Sequence, residues 1–125
     1  MSNEPVAYLG PRELLAIVRR CALEGACRLD ETEAAWARWR VAQADMEAKL
    51  DKWRECLRLS EQAARVARRI GEEQRFKGEV YESAAAGAAV AHASAKTMER
   101  IYARAAARAR VLRSEHQKLA ARNAA

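Results

Sequence analysis

The 125 residues include 30 Ala and 18 Arg but only 2 Pro and 5 Gly, and both prolines, Pro5 and Pro11, lie in the first eleven positions. From Arg12 onward the chain is proline-free and dominated by Ala, Arg, Glu, Leu and Lys. That bias belongs to long helices and coiled coils; it excludes a sandwich, a barrel or a doubly wound sheet and predicts a single all-α domain over 1–125. The formal net charge is +6, from 23 basic and 17 acidic residues, and no stretch reaches the roughly 20 apolar residues of a membrane span.

Residues 1–10 read as a flexible N-terminus. The opening Met-Ser-Asn-Glu-Pro-Val-Ala-Tyr-Leu-Gly-Pro lacks the basic and apolar regions of a secretory signal, so a cytoplasmic protein without direct membrane insertion is expected. Helix one is then predicted over 12–70. With Leu15 at heptad position a, the a series runs Leu15, Ala22, Leu29, Trp36, Gln43, Leu50, Leu57, Ala64, and the d series Val18, Gly25, Thr32, Trp39, Met46, Trp53, Ser60, Ala67. All three tryptophans fall in this seam, and a seven-residue repeat of such length implies a left-handed supercoil against a partner helix. A competing signal lies at Asp30-Glu31-Thr32-Glu33, where Asp followed three residues later by Glu has the form of a capping box. A break there gives a three-helix bundle, the alternative architecture; an intermolecular coiled coil is a third.

The repeat fails over 71–78, where Gly71 and Gly78 bracket a change of phase and predict a turn. Its residues Arg75 and Phe76, with Tyr81 just beyond, are candidate partner contacts at a hairpin tip. Helix two is predicted over 80–122, with Ala84, Ala91, Met98, Ala105, Leu112 and Leu119 at sevenfold spacing and Val80, Gly87, Ser94 and Ile101 between them. Folded back, it sets an Ala-rich seam against the bulky Trp and Leu seam of helix one, a large-against-small solution that brings two backbones close. The leading architecture is therefore a long antiparallel two-helix coiled-coil hairpin.

Charge is unevenly placed. From Asp30 to Asp51 six acids face three bases, whereas from Arg100 to Arg122 seven bases stand against Glu115 alone. Antiparallel pairing lays one segment along the other and neutralises part of each, leaving a basic end. Arg100, Arg104 and Arg108 recur every four residues as one stripe, joined on adjacent faces by Arg110 and Arg113. Such a stripe fits an acidic protein surface, phosphates or water.

Catalytic chemistry is absent from the pattern. His92 and His116 are too far apart on one helix to share a metal, and Cys21 and Cys27 point to different faces. With Cys56 these make an odd count inside helical sequence, which predicts free thiols. No phosphate-binding Gly-rich loop, nucleophile elbow or His-Glu-x-x-His motif occurs. A protein that is not an enzyme, holding no metal and no cofactor, is expected.

The stretch RELLAIVRRCALEGACRLDETEAAWARWRVAQADMEAKLDKWRECL, Arg12 to Leu57, resembles the FliJ and YscO type of stalk protein of flagellar and type III secretion export. The shared features are a Leu-rich start, Arg-Arg, an Ala- and Glu-rich heptad run, a turn, and a returning helix that ends in basic residues. The resemblance implies a monomeric, non-enzymatic coiled-coil stalk or adaptor for protein transport. Its helix termini would enter the hole of a hexameric export ATPase, its turn end would meet the export-gate protein, and it would handle export chaperones. The ATPase contact maps under it to Arg12, Arg19 and Arg20 on one strand and to Arg108, Arg110 and Arg113 on the other, and Arg104 of the same stripe is a further partner-contact candidate. The alternatives from other classes are a small basic coiled coil that binds nucleic acid, recognisable by steep salt dependence, and a self-assembling structural coiled coil.

Overall fold

The computed structural model describes Gly10, Arg12, Glu13, Leu15, Ala16, Ile17, Arg19 and residues 30–124. Two long helices account for most of them: α1, Glu31–Gln74, and α2, Glu79–Ala124. They pack against each other as an antiparallel hairpin, and there is no strand among the described residues.

The continuous helix expected over 12–70 does not occur. Asp30 is outside the helix and caps it: its Oδ1 accepts the Glu33 N–H at 2.7 Å, and its carbonyl accepts the Ala34 N–H at 2.9 Å. Glu31 and Glu33 put negative charge against the positive end of the helix dipole in that first turn. Local capping therefore overrides the heptad phase that runs through Thr32. Arg12, Glu13, Leu15, Ala16, Ile17 and Arg19 are helical as well, and Ile17 packs against Ala37. This is the feature that the three-helix alternative carried.

The turn is shorter than 71–78. Helix α1 runs through Gly71 to Gln74, and Gly71 is a packing glycine: a Cβ there would lie 2.5 Å from the Phe76 ring and 3.1 Å from Tyr81. Arg75 and Phe76 then take left-handed backbone angles, φ 54° and 58°. The Phe76 N–H reaches back to the Gly71 carbonyl at 2.7 Å, satisfying a carbonyl of the last helical turn. Gly78, at φ 95°, supplies the carbonyl that accepts the Glu82 N–H at 3.0 Å and so starts α2.

The chain divides into two compact units. The first joins Met1–Glu47 with Arg104–Ala125. In it Thr32 accepts a hydrogen bond from the Asn123 side chain, and Trp39 stacks on His116 with centroids 5.7 Å apart. Two rows of α1 are covered there, the seam that contains Thr32, Ala35, Trp39 and Ala42, and a second row of Ala34, Ala37, Val41 and Ala44. The second row is the one on which Ile17 packs.

The second unit, Ala48–Ala103, has a narrower seam. Trp53, Cys56, Ser60, Ala63, Ala67 and Ile70 line it, at steps of three and four residues, and Trp53 stacks on Tyr102 at 5.4 Å. Leu57 and Ala64, expected at position a, lie outside it and are exposed. On α2 the series Ala84, Ala91, Met98, Ala105, Leu112 and Leu119 is covered as expected. The interleaved row is one residue later than expected, Tyr81, Ala88, Ala95, Tyr102, Ala109 and His116; of the expected row Val80, Gly87 and Ser94 face outward and Ile101 is half-buried. Small residues occur on both helices: the buried hydrophobic residues are Ala35, Ala37, Ala42 and Ala67 on α1 and Ala95, Ala105 and Ala109 on α2. Trp39 and Trp53 are half-buried and each meets a ring on the opposite helix, so the large-against-small arrangement is only partly realised.

Candidate interaction site

In the first unit α2 carries its arginines on different faces. At about 100° per residue, Arg104 and Arg108 are about 40° apart, whereas Arg110 is about 120° and Arg113 about 180° from Arg104. All four are exposed, but Arg113 leans toward the interhelical seam, its guanidinium 5.7 Å from the Trp39 ring centroid. Arg40 lies 5.9 Å from the same ring. Two cations and the stacked His116 therefore surround Trp39, where the ring's negative faces attract them. The stripe read from the sequence is thus split: Arg104 and Arg108 share a face, and Arg110 and Arg113 do not join it.

Among the described residues, no ion pair joins Arg104, Arg108, Arg110 or Arg122 to α1. The ion pairs Arg58–Glu55, Arg65–Glu61 and Lys96–Glu99 join residues three or four apart on one helix. Nor, among the described residues, does an ion pair within α2 engage any of these arginines. These four guanidiniums are exposed to water.

Arg12 and Arg19 are helical and exposed, and Arg20 lies outside the described residues. Arg75 and Phe76 project at the turn, Phe76 at 56% exposure. Tyr81 is half-buried and meets Phe76 edge-on, with centroids 5.5 Å apart. These two rings close over Gly71 and serve the turn's own packing. Beside them Ala64, Ala67, Ala85 and Ala88 floor a shallow depression that Arg68 and Glu72 also line.

Tyr102 and His116 are not legible as seam residues in the sequence. Each is one position beyond the expected row, and only the pairing with Trp53 and Trp39 reveals their place. Three ring nitrogens, Trp39 Nε1, Trp53 Nε1 and His116 Nδ1, are buried without a hydrogen-bond partner. They mark where aromatic packing has won over polar satisfaction. Among the described residues no group of three or more His, Cys, Asp or Glu is placed to hold a metal. Cys56 is a free thiol, and Cys21 and Cys27 lie outside the described residues. No described helix is long and apolar enough to cross a membrane.

One acid and one base show shifted ionisation. Arg58 hydrogen-bonds the Glu55 carboxylate at 2.6 and 3.0 Å and holds it below the usual carboxylate range; Glu55 raises Arg58 in return. Both groups are exposed, and the pair is a feature of the helix surface. Comparison with known proteins gives no family model, no curated protein and no solved structure that matches this chain.

Proposed function

We propose that the chain is a non-catalytic helical-hairpin adaptor whose basic end docks on an acidic protein surface. The observation that carries this reading is the set of exposed arginines on the C-terminal part of α2 that no described carboxylate pairs with. A guanidinium presents a planar, bidentate donor fork to carboxylates, and the helix fixes the spacing at which these arginines leave the backbone. The resemblance to export stalks makes the reading more specific. In it the protein is a monomeric cytoplasmic stalk of a type III export machine, coupling a hexameric ATPase to the export gate and to export chaperones.

The test is retention from nuclease-treated lysate of the native host, with secretion induced and at physiological salt, followed by mass spectrometry. Recovery of a hexameric ATPase or an export-gate subunit is expected. Recovery of no such protein, together with retention of nucleic acid once nuclease is omitted, would sink the export reading. Binding then has to fall with salt as counterion release demands.

A further inference from the structure

Six positions on successive turns of α2, all within the first unit, form a second regular face. Arg104, Arg108, Val111, Glu115, Lys118 and Arg122 follow one another at steps of 4, 3, 4, 3 and 4, and every one of them is exposed. At about 100° per residue all six fall inside an arc of about 80°. A second helix can lie along residues at this spacing. Its composition is specific: cations at both ends, Val111 near the middle at 57% exposure, and one acid, Glu115. None of the four cations forms an ion pair among the described residues.

We infer that this stripe is the docking surface for an acidic α-helix of a protein partner, lying along α2 over about 27 Å. The inference deepens the adaptor reading, on which it rests for the existence of a protein partner. Charge complementarity fixes the occupant. Four cations call for carboxylates at matching heptad positions, and the aliphatic stems of arginine and lysine cover apolar surface while their heads reach those carboxylates. Val111 calls for an apolar side chain at the partner's centre. Glu115 calls for a lysine or arginine opposite it. A polyanion such as nucleic acid meets neither of the last two demands: it is repelled by Glu115 and gains nothing from Val111.

The experiment measures fluorescence anisotropy of a labelled, designed helix of about three heptads titrated with the full chain. The probe has Glu opposite the four cations, Leu opposite Val111 and Lys opposite Glu115; polyglutamate and duplex DNA serve as comparison probes. Circular dichroism on each variant checks that the hairpin is intact. R104E/R108E is expected to weaken binding of the designed helix at least about tenfold. Arg110→Glu, which makes the same kind of charge reversal on another face of α2, is expected to change it less than about twofold.

The deciding variant is Glu115→Lys. It weakens a helix that presents lysine there, and exchanging that probe lysine for Glu restores the affinity. Strengthened binding in E115K, equal loss in R110E and R104E/R108E, polyglutamate or duplex DNA binding as tightly as the designed helix, or no binding of the designed helix at all, each overturns the inference. Its failure is distinguishable from failure of the export reading. An export component retained from lysate as well by R104E/R108E as by the wild type defeats the stripe alone. A designed helix that binds as specified, with no export component in the lysate, defeats the export reading alone.

Discussion

The first unit covers two rows of α1 where the second covers one. Around Ala37, fully buried, the helix is packed on its α2 side and again on the side that meets Ile17. In the second unit, beyond Leu50, the covered positions of α1 are the Trp53 to Ile70 row and Gly71, and Leu57, Leu59 and Val66 are 39 to 46% exposed. Two helices alone have few positions that water cannot reach, so residues of the same heptad class have different fates: Trp36 and Gln43 are half-buried, Leu57 and Ala64 exposed. The heptad pattern states which residues are apolar. The number of neighbouring segments decides which of them are buried.

The largest expected effect tests that contrast directly. Trp39 stacks on His116 with Arg40 and Arg113 over its ring, whereas Trp53 has the Tyr102 stack. Trp39→Ala is expected to cost about 3 to 4 kcal/mol, in the range for loss of a packed aromatic, and Trp53→Ala about 1 kcal/mol less. Urea denaturation of the two variants gives both values. Equal costs, or a larger one for Trp53, would show that the second unit is packed as firmly as the first and break the comparison.

A smaller effect sharpens the picture of the turn. Gly71→Ala gains helix propensity but drives a methyl group into the Phe76 ring, and the overpacking outweighs the gain; a net loss of about 1 to 2 kcal/mol is expected. In the G71A/F76A double variant the clash has gone, so the cost of the two changes together falls below their sum. Additive costs would mean that Phe76 yields without strain and that its left-handed backbone owes nothing to this contact.

At the other end of α1, Asp30→Ala removes the acceptor of the Glu33 N–H and is expected to cost about 1 kcal/mol. D30N, which keeps an oxygen acceptor, is expected to cost only a few tenths. Thermal melts of the pair decide it. Equal loss in both would place the effect in the carboxylate charge near the helix dipole and not in the cap.

The helices, their antiparallel return and the covered Ala84 to Leu119 row are legible in the sequence because each rests on composition or a simple period. The break at Asp30 is also present there, as a capping box competing with an unbroken heptad phase, and nothing in the local pattern ranks a cap worth about 1 kcal/mol against a seam of unknown depth. What the pattern cannot supply is rotation. A shift of one residue in the interleaved row of α2 brings Tyr102 and His116 inward and turns Val80 and Gly87 outward. That choice follows from the partner rings at Trp53 and Trp39, which are distant in sequence. The basic site is legible as charge but not as geometry. Spacing alone groups Arg104 with Arg108, whereas the place of Arg113 is set by Trp39 on the other helix, which no count along α2 reveals.

The two units also use charge differently, and the smallest prediction turns on this. In the second unit, Glu55 with Arg58 and Glu61 with Arg65 form ladders along one helix surface. Around Trp39 in the first, the cations are arginines set on an aromatic ring. Glu55 is held below the usual carboxylate range, chiefly by the Arg58 hydrogen bond. Its contribution to stability is therefore present above the ordinary glutamate pKa and is lost as pH falls through the lowered folded-state value. Wild type should melt slightly above Glu55→Gln at neutral pH, and the gap should close as pH falls through the lowered Glu55 value. A gap that widens on acidification would mean that the Glu55 carboxylate opposes folding, and would remove the ladder from the forces that hold the second unit.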